Sequence, residues 1–399
     1  MSNTIKTLSD GDITREALRI FKNSNNVIKC VNRQYDDRFA VSGAKNGGSL
    51  QIRLPNRYTV GTGATITPQD TTENTVGLVV ATQKHVPVQF SSAELTVSLD
   101  DFSERILQPA MSVLASNVGN DLLTDMASNF HQIVGTPGTT PASLTPYLDA
   151  GVKIDHQTAP RDSNRHVIVG PAAMGATVDG LKGLFQSSDK IASQYETGMM
   201  GMAAGFKFWM DQGIPTIAHG AANGSYLVNG AVSSSTGTTS IVVDTGAGAA
   251  VAGQVFTIAG IFEVNPDTKQ STGQLKQFVV ATNYAGGSGT ITVAQKIYTS
   301  GPYQNVSGTI ADNAAITFFG TASTSYPRNF AFHRDAVVLA TADLELPKGV
   351  DMSYRASMDG LSLRFVRDYD VTNDLFIGRF DILYGKKVVR PEWGCQITG

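Results

Sequence analysis

The sequence has few cysteines, few charges and no long apolar run, and each of these scarcities excludes a class of protein. Its two cysteines, Cys30 and Cys395, lie near opposite ends of the 399-residue chain, which excludes both a disulfide framework and a cysteine zinc site. No apolar run is long enough to cross a bilayer as a helix, and the first residues lack the apolar core of a secretory signal. We therefore expect a protein that is made in the cytoplasm and has no membrane partner.

Charged residues are also scarce. They make up 16% of the chain, against about a quarter in an ordinary globular protein. The 31 Lys and Arg nearly balance the 34 Asp and Glu, for a net charge of -3, so the chain lacks the basic excess that binding to nucleic-acid phosphates requires. Low charge together with 40 glycines is typical of a protein with many loops, or of one that buries much of its surface against other chains.

The sequence contains none of the common catalytic or cofactor-binding motifs. It has no GxxxxGK[ST] loop, no HExxH, no GxSxG and no CxxC, and its six histidines lack the spacing of metal ligands. Three acidic residues near the C terminus lie among three arginines: Asp368, Asp370, Asp374, Arg364, Arg367 and Arg379. Ion pairing among them is a simpler interpretation than acid–base catalysis. We predict no catalytic, cofactor-binding or metal site.

A change of composition in the middle of the chain indicates the domain organisation. From residue 221 to residue 321 the chain consists of short β-type runs separated by Gly, Ser, Thr and Asn, with very few charges. The flanking sequence mixes helical patterns with aromatic residues, arginines and aspartates. This arrangement is typical of an all-β domain inserted into a larger α+β domain, and we expect the inserted segment to fold on its own.

The N-terminal part predicts a helix followed by an extended β-arm. Apolar residues lie at helical spacing from Ile13 to Ile28, with Ser9 or Asp12 as the cap. Alternating patterns at 49–55, 76–81 and 86–90 then predict strands on both sides of a polar tip. Because such an arm cannot stabilise itself in water, we expect it to lie on a neighbouring chain.

The candidate residues for that contact are two arginines near the base of the arm and two glycines in its tip. They are Arg53, Arg57, Gly61 and Gly63. The alternative is that the tip is an ordinary surface loop, but the alternation of apolar residues on both sides of it favours the arm.

The strongest helical pattern follows the arm, with apolar residues three or four apart from Phe102 to Phe130. Ser98 and the acidic residues after it resemble a capping box, and Gly135 is expected to stop the helix. Pro109 is expected either to kink the helix or to mark a short first piece. Later patterns predict a helix from residue 144, strands at 166–169 and 206–210, a helix opened by Pro171, and closing strands at 361–366 and 374–384.

Several short motifs, taken in this order, resemble one known family. The segment FDILYG at 380–385 and the RPE at 390–392 are similar to the closing strands of the major capsid proteins of tailed bacteriophages. Residues 212–217 look like the entry to an inserted domain, 256–260 and 277–280 look like its strands, and 59–72 match the tip of an extended arm. The insertion is most like that of the coat proteins of certain short-tailed phages.

This resemblance implies an α+β fold of the tailed-phage major capsid type with an inserted all-β domain. The expected parts are an N-terminal arm (1–44), an extended β-arm with peripheral-domain strands (45–97), a spine helix (98–136), an axial domain (137–220), an inserted β-barrel (221–321), and a return to the axial and peripheral domains with C-terminal strands (322–399). We refer to residues 54–74 below as the arm tip.

The implied function is structural. The resemblance predicts a protein, not an enzyme, that assembles with copies of itself as hexamers and pentamers of an icosahedral virion shell around double-stranded DNA. Its other expected partners are a scaffolding protein and a portal, with DNA contacted only by non-specific proximity. In the family that the chain resembles, the N-terminal arm faces the interior and binds a scaffold through charge, which gives Asp10, Asp12 and Glu16 as candidates. Alternatively, these carboxylates only complement the helix N terminus, worth about 0.3–1 kcal/mol each.

Two other functions stay open at this level. A tail-fibre or adhesin subunit would fit the β-rich segment, but not the long helix and the mixed host domain. A hydrolase with an inserted β domain would require a pocket in which titratable residues converge.

Overall fold

Two helices, and not one, begin the part of the chain that the structure describes. The structure, a computed structural model, describes residues 10–33, 49–64, 68–69, 73–91, 106–181, 200–222 and 225–399. Helix α1 spans Asp10–Ser24 and α2 spans Asn26–Cys30. Asn25 separates them, because its extended backbone lets its side-chain oxygen accept from the N–H of Val27 at 2.7 Å. The prediction of one helix to Ile28 was therefore wrong.

The predicted caps of this helix also differ from the structure. Asp12 lies inside α1, two residues after its start, and does not precede it. Ser9 lies outside the residues that the structure describes.

The chain divides into two compact units. One consists of Met1–Ile52, Val76–Leu122 and Val337–Lys387, and the other of Arg53–Thr75, Leu123–Ala336 and Val388–Gly399. The finer six-part division inferred from the sequence stays a prediction.

The first unit contains an antiparallel sheet of long strands. Its strands are β3 (Thr82–Ser91), β17 (Val337–Ala342), β18 (Met352–Met358), β19 (Leu361–Asp370) and β20 (Leu375–Val388). Strand β20 pairs with β17, β19 and β3, and β19 pairs with β18. The stacked rings of Phe365 and Phe380, 4.5 Å apart, lie in the buried core. The predicted closing strands are confirmed, and both are longer than predicted.

Two short strands lead into and out of the arm tip. Strands β1 (Ser49–Arg53) and β2 (Thr75–Val79) form a two-stranded sheet. Leu54 N–H donates to Asn74 C=O at 2.8 Å, which extends the pairing by one step. Between them, the side-chain amide of Gln69 donates to the C=O of Thr59 at 2.6 Å and accepts from its N–H at 2.9 Å. The base and the tip are thus held by bonds within the arm.

The long helix α3 spans Gln108–Asn129. Pro109 lies in its first turn, directly after a π-helical stretch at residues 106–107, so the proline lies where a short first piece passes into the α-helix. The predicted cap at Ser98 lies outside the described residues. The predicted end at Gly135 was wrong, because Gln132–Val134 form strand β4, which pairs in parallel with the C-terminal strand Gly394–Ile397.

A mixed sheet and two helices form part of the second unit. The sheet has the order β4-β21-β16-β5-β7-β6, with β5 (Arg165–Val169), β6 (Met202–Ala203), β7 (Phe206–Met210), β16 (Asn329–His333) and β21 (Gly394–Ile397). The helices are α4 (Thr145–His156) and α5 (Pro171–Leu181). Their shared core includes Tyr147, Val167, Met174, Phe208 and Ile397. The elements predicted at 144, 166–169, 171 and 206–210 are confirmed.

A second six-stranded sheet of this unit lies within the segment of altered composition. Its order is β12-β11-β14-β9-β10-β13, and all its pairings are antiparallel. The strands are β9 (Tyr226–Val228), β10 (Thr238–Asp244), β11 (Val255–Val264), β12 (Ser271–Val279), β13 (Gly289–Ile297) and β14 (Ala315–Phe318). Strands β8 (Thr216–Ala218) and β15 (Ser325–Pro327), which flank it in sequence, pair with each other.

Residues 221–321 expressed alone are expected to fold, because the buried cluster of this sheet, from Ala222 to Phe318, lies within the segment. Circular dichroism should show a β-type spectrum, and amide resonances should be well dispersed. Phe256→Ala provides the control, since the loss of a buried phenylalanine costs about 3–5 kcal/mol and should unfold the fragment. A disordered spectrum for the unaltered fragment would contradict the prediction.

Candidate functional site

The arm tip is the most exposed candidate surface among the described residues. Val60 is 94% exposed and Tyr58 is more than half exposed. Among the described residues, no atom lies within 4 Å of a Cβ built at Gly61 or Gly63, and Gly63 has a positive φ of 107° that favours glycine. Tyr58 and Val60 therefore pack little against the other described residues, and their exposed side chains are available to a neighbouring subunit.

The two arginines of the arm differ in their surroundings. Arg53 is 77% exposed, and its Nε lies 3.6 Å from Glu73 Oε2, a solvated pair worth little. Arg57 is less exposed, and its Nη2 lies 3.5 Å from Glu392 Oε1. The structure therefore leaves Arg53 open on the surface but gives Arg57 a partner within the same unit.

The candidate scaffold-binding residues lie at the start of α1. Glu16 is held by Arg19, whose Nε donates to it at 2.8 Å. This hydrogen bond lowers the pKa of Glu16. Asp10 and Asp12 belong to the first turn of α1, but their side chains lie outside the part that the structure describes.

The ion pairs near the C terminus have other partners than the sequence suggested. Arg364 and Arg379 both bind Asp381, with nitrogen–oxygen distances of 2.6 and 2.5 Å. Arg367 pairs with Asp351 at 2.7 Å. The run at 368–374 instead organises a turn, in which Asp370 accepts from Thr372 N–H and Asp374 accepts from Tyr369 Oη.

Asp381 is fully buried at the centre of this network. Burial by itself opposes its ionisation, but the hydrogen bonds from Arg379 and Arg364 outweigh burial and hold the pKa of Asp381 below its usual value. Gln83 Nε2 donates a further bond at 3.3 Å. The network joins β3, β19 and β20 side by side.

A second buried polar cluster lies beside strand β4. Lys276 Nζ is 3.5 Å from Glu263 Oε1 and 3.1 Å from His131 Nε2. Burial is the largest influence and lowers the pKa of His131 well below its usual value, and the neighbouring lysines Lys276 and Lys153 act in the same direction, so this imidazole is neutral. Local sequence patterns did not indicate this cluster, since its members are far apart along the chain.

Side-chain amides satisfy backbone groups in the same region. Gln277 Oε1 accepts from Ile133 N–H at 2.8 Å, and Gln277 Nε2 donates to Ile133 C=O at 2.9 Å. Gln396 Nε2 donates to the C=O groups of Ala127 and Phe130, where α3 ends. These amides supply the partners that the end of a helix and the outer side of a strand otherwise lack.

Within the described ranges there is no group of three or more His, Cys, Asp or Glu side chains that could hold a metal ion. An open cavity of about 360 Å³ is lined mainly by apolar residues, with Asp149 and Lys153 as its titratable groups. Among the described residues, no helix is long and apolar enough to span a membrane.

Comparison with known families defines the class of the protein. Residues 51–399 match the model of a bacteriophage coat protein. The model is that of the P22 coat protein, gene protein 5, and because it covers most of the sequence, the chain belongs to the P22 coat protein family. It is a structural major capsid protein that forms the phage shell. The family inferred from the short motifs is thus confirmed, and the match favours this role over a tail-fibre subunit or a hydrolase.

Solved structures of phage capsids resemble the chain only weakly. A chain of Mycobacterium phage Che8 is 11% identical, with 93% of this chain and 90% of that chain covered and a TM-score of 0.45. A chain of the mature capsid of bacteriophage PhiM1 is 11% identical, with 90% of this chain and 83% of that chain covered and a TM-score of 0.43. A chain from the procapsid of satellite phage P4, a structure that includes the size determination (Sid) protein, is 9% identical. The match covers 99% of this chain and 93% of that chain, with a TM-score of 0.39. At such TM-scores these likenesses add no support, and a search of curated proteins found no match.

Proposed function

We propose that the protein assembles with copies of itself, as hexamers and pentamers, into an icosahedral shell that encloses double-stranded DNA. The observation that carries this proposal is the extended arm, whose tip exposes Tyr58 and Val60 and whose base exposes Arg53 to solvent. An arm that is held by internal hydrogen bonds and exposes apolar and cationic side chains fits a contact that is repeated between subunits. The protein acts in this proposal as a building unit without catalytic activity.

The partners and location follow from the same proposal. A scaffolding protein directs assembly, and a portal occupies one vertex. The net charge of -3 fits a shell that tolerates DNA without gripping its phosphates. The subunit is made in the host cytoplasm and ends in the virion. Residues 221–321 form an inserted domain that stabilises the subunit and contacts neighbours.

Negative-stain microscopy tests the proposal directly. The protein is expressed alone and together with the scaffolding protein of the same phage. Closed shells with icosahedral symmetry are expected in the second case. Isolated trimers or fibres in both cases would contradict the proposal and support a tail-fibre subunit.

Scaffold docking on α1 is tested by charge reversal at Asp12. If the helix start is a docking site, Asp12→Lys should weaken scaffold incorporation strongly, and more so at low salt, where exposed charges are least screened. If the carboxylate only complements the helix dipole, Asp12→Asn should cost about 0.3–1 kcal/mol of stability and leave scaffold binding intact.

Glu16→Lys is the charge-matched comparison within α1, because Glu16, another of the candidate residues, is already engaged by Arg19. It should change scaffold content less than Asp12→Lys does. Scaffold content is measured by densitometry of purified shells. Unchanged content in the Asp12→Lys shells would remove the docking hypothesis.

A further inference from the structure

Three buried side chains from three strands meet beside the edge of the mixed sheet. Glu263 Oε1 of β11 lies 3.5 Å from Lys276 Nζ of β12 and 3.5 Å from Gln132 Nε2 of β4. Glu263 is 2% exposed, Lys276 3% and Gln132 1%. One oxygen of a buried carboxyl group thus lies within reach of both a buried amine and a buried amide.

Two atoms of this group are unsatisfied. Within the described part of the chain, Glu263 Oε2 and Gln132 Oε1 are buried and have no hydrogen-bond partner. An unmet buried acceptor costs about 1–3 kcal/mol, so two in one cluster require an explanation. The two atoms belong to the carboxyl group and the amide that lie on either side of the short Glu263–Gln132 contact.

The surroundings of Lys276 make its amine easier to deprotonate than that of an exposed lysine. Burial is the largest influence and lowers the pKa of Lys276, while attraction to Glu263 and then Glu392 opposes the change. Lys153 adds positive charge nearby, and His131 Nε2 lies 3.1 Å from Nζ. A neutral amine is a nucleophile, whereas an ammonium group is not.

We propose that Lys276 and Gln132 join in an isopeptide bond, with Glu263 as the proton carrier. Lys276 Nζ attacks Cδ of Gln132, and a new C–N bond forms. The bond from Cδ to Nε2 breaks, Glu263 passes a proton from Nζ to Nε2, and ammonia leaves. An amine and a primary amide thereby become a secondary amide and ammonia, so atoms and electrons balance without any other reactant.

The bond has a clear mechanical consequence. It links β4, at the edge of the mixed sheet, to β12, at the edge of the second sheet, and closes a loop between residues 132 and 276. A covalent tie of this length restricts the unfolded chain and strengthens a subunit that is held under load.

Mass spectrometry of the wild-type full-length protein tests the proposal without any variant. The intact mass of the folded protein should be lower than the sequence mass by one ammonia molecule. Tryptic digestion should leave Lys276 uncleaved and yield a branched peptide that contains residues 132 and 276. A mass equal to that of the sequence would overturn the proposal, and so would loss of one water with a branch at Glu263.

Variants assign the roles. Lys276→Arg removes the nucleophile and Glu263→Gln removes the proton carrier, so both proteins should keep their full sequence mass. Lys153→Arg retains a positive charge near the cluster without altering the three reacting groups and should still lose ammonia. Loss of ammonia in Lys276→Arg would show that the lost nitrogen has another origin, and would overturn the assignment.

Discussion

Exchange of Arg53 and Arg57 for glutamate should abolish shell formation and leave the subunit folded. Both side chains lie outside the buried core, and surface exchanges usually change stability by less than about 0.5 kcal/mol. At an interface, a reversed charge meets like charge and costs several kcal/mol. The penalty recurs at every copy of the contact, so a closed shell is affected more than the free subunit. Sedimentation and negative-stain microscopy count the shells, and circular dichroism reports the fold.

Single variants separate the two arginines. Arg53→Glu affects only a solvated pair and should show most of the assembly defect, whereas Arg57→Glu also places a carboxylate next to Glu392. Lys348→Glu is the matched control, since Lys348 is exposed and lies outside the arm. Normal shells from the double variant would show that the arm base makes no contact between subunits.

Removal of the Asp381 carboxylate should destabilise the first unit more than any surface exchange. Asp381→Ala leaves Arg364 and Arg379 without their shared partner, and breaking a buried ion pair costs about 3 kcal/mol or more. The estimate is at the lower limit because Arg379 is partly exposed and can be solvated. Urea unfolding of the purified subunit measures the loss.

The same carboxylate predicts an acid-dependent part of stability. Its pKa is lowered in the folded state, so its contribution is present above the ordinary aspartate pKa of about 3.9 and is lost as the pH falls through the folded value. Asp381→Asn keeps the shape without the charge and should therefore show a weaker decrease in stability in acid. Equal pH dependence in the wild type and in this variant would contradict the assignment.

Local patterns predicted the existence of most elements but not all their ends. The apolar periodicity of α3 and the alternation in β19 and β20 were sufficient, because these elements bury one face each. The end of α3 was not predictable, since Gln132–Val134 take a strand conformation to pair with residues 395–397, at the other end of the chain. Asn25 was a signal that could have been used, because asparagine favours helix N-caps.

The candidate site residues show a similar limit. The sequence showed that Arg53 and the tip glycines lie in a polar segment, and the structure leaves them exposed. It could not show that Arg57 binds Glu392, or that Asp381 and not Asp368 pairs with Arg364, because such pairs depend on strand register. Lys276 and Glu263 looked like ordinary charges of a β segment, and only the tertiary fold buries them.

The two hydrogen bonds between Gln277 and Ile133 affect whether another chain can add to the edge of the mixed sheet. Strand β4 is the outer strand of its sheet, and an open outer strand is a template on which another chain can add a strand of its own. The side-chain amide of Gln277 already binds the N–H and the C=O of Ile133, which an added strand would otherwise use. A protein that accumulates at high local concentration before it is built into a particle is thereby protected, at this edge, from polymerising in the wrong direction.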